Sequence, residues 1–185
     1  MWNYEKRLLY PVKISKPDLR MARLLLEPYA GNASELTAAM TYLNQRYTMP
    51  SGALKALLTD IGTEELAHME VIASMITQSF QGASSQELEK AGLDSWYAAR
   101  RRSLFAADSE GHPWSASFTV TSGDPATDIA FDMAMESRER AQYERLISMS
   151  DDKSFTEPLE FLKEREIVHY QRFVEALEIL NSNSK

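Results

Sequence analysis

In two stretches of this chain a glutamate and a histidine, one helical turn apart, interrupt a stripe that should be wholly apolar. The first stripe runs Leu58, Ile61, Glu65, His68, Ile72 and Ile76; the second runs Leu159, Leu162, Glu166, His169, Phe173, Ala176 and Leu180. Both follow a period near 3.6, which sets the ionisable pair on the side of the helix that has to be buried. Charge buried there needs compensation, and that need constrains the fold. The pattern also repeats: Glu35 maps to Glu136, Tyr42 to Tyr143, Glu65 to Glu166 and His68 to His169, each pair 101 positions apart. Two helix pairs therefore carry one polar design.

Glycines and prolines divide the chain into the helices that bear these stripes. Residues 1–17 read as irregular, with Pro11 and Pro17 restricting the backbone, and 18–29 as a short leucine-rich helix. "GNAS" at 31–34 precedes a helix over 34–48, which Pro50 stops, and Ser51 caps a long helix over 52–80. From 81 to 123 the helical period is lost, and the alternation in "HPWSASFTVTSGDP" predicts a short strand at 115–121. Asp124 before Pro125 marks an N-cap with proline at the first helical position, opening a helix to 149. "SDDKSFTEP" breaks that helix, and a last one runs over 156–181. Four longer helices with a long crossover between the second and third predict an all-α, ferritin-like four-helix bundle. It is expected as a single domain over 1–185, with 1–33 as an N-terminal segment and 81–123 as the crossover excursion. Two unrelated helical hairpins are the alternative, and they would leave more apolar face uncovered.

Composition narrows the chemistry. With 44% hydrophobic residues in 185, the chain can bury one sizeable core. It has no cysteine, which excludes disulfides and thiolate chemistry and leaves carboxylates and imidazoles as the strong metal ligands. A net charge of -7 and a pI near 5.1 argue against a nucleic-acid partner, and the basic run "AARRR" at 98–102 reads as a solvated loop or helix end. No apolar run approaches the roughly 18 residues that span a bilayer, so no membrane partner is expected. The N-terminal "MWNYEKRLLYPVKISK" mixes charges among its apolar residues, which predicts cytoplasmic synthesis without a signal peptide.

A pair of first-row metals in a four-helix bundle takes a glutamate from each of two helices and a Glu-x-x-His from each of the other two. Glu35, Glu65/His68, Glu136 and Glu166/His169 supply that set in chain order. Tyr42 and Tyr143 lie two turns beyond a candidate ligand on the same face, where a phenol can orient a carboxylate. Glu139, one turn past Glu136, is its rival on the third helix, and the 101-residue interval favours Glu136. Glu64 and Glu70 read as solvated surface, His112 as a loop residue facing solvent or hydrogen-bonded to backbone, and the nine methionines as core. The competing account of the six residues is two buried clusters of salt bridges, which rarely stabilise a fold over apolar packing.

At these residues the chain resembles the manganese catalase family, and most closely its short spore-coat branch, the CotJC-type proteins. "SELTAAMTYLNQRYTMP", "DIGTEELAHMEVIASMI", "YERLISMSDD" and "EREIVHYQRFVEAL" carry the resemblance, which covers residues 10 to 181. It implies a catalase that converts hydrogen peroxide to water and dioxygen with two manganese ions per chain. Glu35 and His68 would hold one ion, Glu136 and His169 the other, and Glu65 would bridge them. Glu166 would be a proton-moving carboxylate beside the metals, and Tyr42 the phenol that supports Glu35. The resemblance also implies a homo-oligomer, location in the spore coat and contact with other coat proteins. Two departures stand out: Met135 replaces an arginine usual in the family, and no long C-terminal tail follows the last helix. The same ligands suit a ferritin-like iron oxidase or store, and a coat protein with a vestigial site is a further alternative.

Overall fold

The computed structural model describes residues 7–182, so the first six residues of the expected irregular N-terminal segment and the last three of the chain lie outside it. Asp18 opens α1 (Leu19–Leu24) by accepting from the amides of Arg20 and Met21. The single helix expected here is two, because α2 (Leu26–Ala30) starts after a break at Leu25. Pro28 explains the break: it has no N–H for the carbonyl of Leu24 and its ring crowds that carbonyl. Ser34 caps α3 (Glu35–Gln45) and Ser51 caps α4 (Gly52–Ser79). Asp124 caps α6 (Pro125–Ser148), leaving α5 (Ser85–Lys90) in the crossover. The last helix, α7 (Lys153–Ser182), begins a turn earlier than expected. Asp152 accepts from the Ser154 amide at 2.8 Å and starts the helix ahead of Pro158, whose missing N–H costs only the bond to the Ser154 carbonyl.

Helices α3 and α4 form one hairpin and α6 and α7 the other; they meet through α4 against α7 and α3 against α6. This is the ferritin-like bundle the stripes demand. Gly62 permits the approach of α3 to α4, since a Cβ there would lie 2.9 Å from Leu43 Cγ. The core has two apolar parts. Val71, Ile72, Met75 and Ile76 of α4 join Leu159 and Leu162 of α7 in one. Leu54, Leu58 and Ile61 join Phe173 and Ala176 in the other. The glutamates and histidines lie between these two parts.

The expected strand at 115–121 is not formed, and no named strand occurs among the described residues. Its segment holds a 3-10 turn, Ala116–Phe118, and then runs along α3. Trp114 Nε1 donates to Thr37 Oγ1 at 3.0 Å, and Val120 accepts from Gln45 Nε2 at 3.0 Å and donates to Thr41 Oγ1 at 3.4 Å. Alternation without a partner strand gives no ladder, so the backbone bonds the side chains of a neighbouring helix instead. Arg100, Arg101 and Arg102 are exposed in the crossover, as expected of a solvated loop.

Candidate metal centre

Helix phase sets the site. Glu65 and His68 on α4, Glu166 and His169 on α7, Glu35 on α3 and Glu136 on α6 are all fully buried at the middle of the bundle. All six residues singled out by the sequence converge there. His68 Nδ1 stands 2.9 Å from Glu65 Oε2, 3.3 Å from Glu35 Oε2 and 3.3 Å from Glu166 Oε1. His169 Nδ1 stands 2.8 Å from Glu65 Oε1, 3.5 Å from Glu166 Oε2 and 3.6 Å from Glu136 Oε2. The two rings stack with centroids 5.5 Å apart. Each imidazole thus faces three carboxylate oxygens, and both Glu65 and Glu166 give one oxygen to each side.

These donors fit a pair of divalent cations. Donors at right angles around a metal with bonds of about 2.1 Å lie about 3 Å apart, near the separations found here. Their hydrogen bonding is incomplete: Glu35 Oε2, Glu65 Oε1, Glu136 Oε2, both oxygens of Glu166 and His169 Nδ1 have no hydrogen-bond partner. Buried polar atoms are seldom left so, and a pair of cations would satisfy all of them together. The donor set, oxygen with one imidazole per side, suits manganese or ferrous iron.

The surroundings correct two expectations. Tyr42 does not support Glu35: its hydroxyl donates to Glu136 Oε1 at 2.5 Å, while Tyr143 donates to Glu35. Seven residues of helix carry a side chain about 10.5 Å along its own axis, out of reach of the glutamate it follows. Because α3 and α6 run antiparallel, each tyrosine instead comes level with the glutamate of the other helix. Glu64 is not simply solvated surface. Its carboxylate lies 3.5 Å from His68 Nε2 and 3.3 Å from His169 Nε2, on the far side of both rings, and Arg165 holds it through Nε at 2.6 Å and Nη2 at 3.2 Å. Positions 64 and 165 are themselves 101 apart, a signal the sequence held. Such a carboxylate attracts the outer nitrogens, and Nδ1 of each ring faces inward. His112 is exposed and pairs with Asp108, away from the centre.

Glu139 is also at the site. It is buried, both of its oxygens lack hydrogen-bond partners, and one of its carboxylate oxygens lies within 4.8 Å of oxygens from Glu136 and Glu166. Met135 lies with Tyr42, Ile129 and Phe173 in the apolar cluster. A cavity of about 290 Å³ between α6 and α7 reaches the centre and is lined by Glu136, Ser137, Arg140, Glu166, Ile167 and Tyr170.

Crowding governs ionisation. Burial pushes the Glu35 carboxyl well above the ordinary range, with Glu166 and Glu65 adding to the effect, and burial does the same to Glu136. Glu65 goes the other way: burial opposes its charge, but attraction to His169 and His68 holds it below the usual range. Burial alone would lower the histidines; Glu35 and Glu65 raise His68, and Glu65 raises His169. Burial also opposes charge on Glu64, yet its bonds to His169, His68 and Arg165 keep it ionised.

Known proteins are similar to this chain in sequence and in fold. The family model for manganese containing catalase matches residues 1–185. The chain is 48% identical to Protein CotJC of Bacillus subtilis over 97% of its own length and 95% of that protein. It is 35% identical to a probable manganese catalase of Clostridium acetobutylicum, over 96% of this chain and 80% of the relative. The crystal structure of KatB, a manganese catalase from Anabaena, superposes with a TM-score of 0.89 at 32% identity, covering 98% of this chain and 81% of that one. With its bundle, its buried glutamates and histidines and its sequence in agreement, the chain belongs to the manganese catalase family.

Proposed function

We propose that the protein is a dimanganese catalase of the spore coat, converting two hydrogen peroxide molecules to two waters and one dioxygen. The observation that carries this reading is the fully buried set of six donors, split evenly about two imidazoles. Glu35 and His68 would hold one manganese, Glu136 and His169 the other, and Glu65 would serve both. When bound, the manganese pair supplies a two-electron change between divalent and trivalent states, which lets it oxidise one peroxide and reduce the next. The chain contributes position and proton traffic. Glu64, itself held by Arg165, lies against the imidazoles from behind, and Tyr42 and Tyr143 donate to Glu136 and Glu35. Glu166 lines the cleft between α6 and α7 and Glu65 does not, so Glu166 is the carboxylate placed to pass protons to a small substrate arriving there. The coat assignment draws on the likeness to CotJC, as does assembly with coat proteins and with further copies of the chain.

The test is oxygen release from peroxide by purified protein loaded with manganese, beside metal analysis of protein grown with manganese and iron together. Oxygen release with manganese in the majority is expected. A majority of iron points to an iron oxidase or store, for which the same oxygen and nitrogen donors suffice. Full manganese without oxygen release points to a coat component that kept its site and lost the reaction, a reading Met135 favours.

A further inference from the structure

The repeat that relates the two hairpins fails at a buried position one turn from Glu136. Residue 38 is Ala38 and its counterpart 101 residues on is Glu139. Both are buried at the bundle interior, yet Ala38 packs in the apolar cluster with Tyr42, Leu58 and Ile61, while Glu139 brings a carboxylate with no hydrogen-bond partner on either oxygen. Among the described residues the nearby cations are engaged elsewhere: Arg140 turns outward to Glu144 at 2.5 Å, and the contacts of His169 Nδ1 are with Glu65, Glu166 and Glu136. What Glu139 does reach is oxygen. One ligand atom from each of Glu136, Glu139 and Glu166 lies within 4.8 Å of the others, a limit that takes in the roughly 3.0 Å between adjacent and 4.2 Å between opposite oxygens around one cation with bonds of about 2.1 Å.

We propose that Glu139 is a further carboxylate ligand of the centre, entering beside Glu136 near Glu166 and giving the α6 side one oxygen donor more than the α3 side. The two metal positions are then chemically unequal. The cation on Glu136 and His169 is held by more negative charge than the cation on Glu35 and His68, and it fills first. The inference rests on the dimanganese reading and adds to it an order of filling.

The experiment titrates metal-free protein with manganese(II) alone, following free and bound ion by electron paramagnetic resonance, for the wild type and Glu139→Gln. The wild type takes two ions in two separable steps. In Glu139→Gln the tighter step weakens on the order of ten- to hundredfold, the range typical when a supporting group of a metal site is lost, and the steps merge. Thermal unfolding of both proteins separates this from a packing defect: the substitution lowers the midpoint of the manganese-loaded protein and leaves that of the metal-free protein unchanged or higher. A variant that binds two ions as the wild type does overturns the inference and leaves the dimanganese reading standing. An equal drop in midpoint with and without metal also overturns it. A wild type that takes no manganese overturns the dimanganese reading, and this inference with it.

Discussion

Glu65 and Glu166 occupy matching places, each with one oxygen toward either imidazole, and differ in what lies beyond them. Glu65 is enclosed, so on the dimanganese reading its charge serves the metals alone. Glu65→Gln is expected to lose both manganese ions together, and metal analysis showing two retained ions would exclude the bridge. Glu166 borders the cleft. Glu166→Gln is expected to keep both ions and slow oxygen release about a hundredfold, the usual worth of a placed proton carrier. Loss of metal there would make it a ligand instead. At this scale the sequence was informative about residues on an apolar stripe and silent about residues beside it. A charge inside a stripe announces itself, but Glu64 sits off the stripe and reaches the histidines only because α4 and α7 pack face to face. Glu139 could be seen as a rival of Glu136, and only packing brings it to the same oxygens as its neighbour.

Among the elements, α6 carries the heaviest electrostatic cost. Asp132 is fully buried with neither oxygen hydrogen-bonded; burial raises its carboxyl well above the ordinary range, Gln45 opposes this and Asp128 adds to it. A carboxyl whose folded pKa is raised binds its proton more tightly when folded. Its contribution is fully present below the unfolded value of about 3.9 and is lost as pH rises through the folded one. Asp132→Asn is therefore expected to be the more stable protein at pH 7, by about 1–3 kcal/mol, with the difference vanishing near pH 4. Urea unfolding of metal-free protein across that range measures it, and a less stable variant at pH 7 would contradict it. The α3–α4 hairpin depends on Gly62. Gly62→Val is expected to cost about 1–3 kcal/mol by overpacking against Leu43, and to weaken manganese binding by moving Glu35 away from His68. Unchanged stability and metal content would show that the hairpin can yield. Helix ends were legible where a cap stood before a periodic run, as at Ser34, Ser51 and Asp124. They were not legible at Pro28 or Pro158, where one lost backbone bond divides a short helix and is absorbed by a long one. Alternation at 115–121 misled for a related reason, since a strand is made by its partner and this segment met a helix.

In the whole molecule a layer of carboxylates and imidazoles lies between two apolar clusters, so the bundle has charge where a core is usually most apolar. Metal should therefore be part of its stability. At free manganese a hundred times the dissociation constant, binding adds about 2.7 kcal/mol, and chelation is expected to lower the unfolding midpoint, with manganese restoring it. A midpoint indifferent to chelation would mean that the layer supports itself. The crossed phenols bear on a different matter, the order of events during synthesis. The first hairpin leaves the ribosome with Glu35, Glu65 and His68 but without Tyr143, the phenol that holds Glu35, and Tyr42 is then still without Glu136. An ion met at that stage finds three donors and open water. On the dimanganese reading, only arrival of the second hairpin completes both ligand sets, which places the choice between manganese and its competitors at the moment of closure.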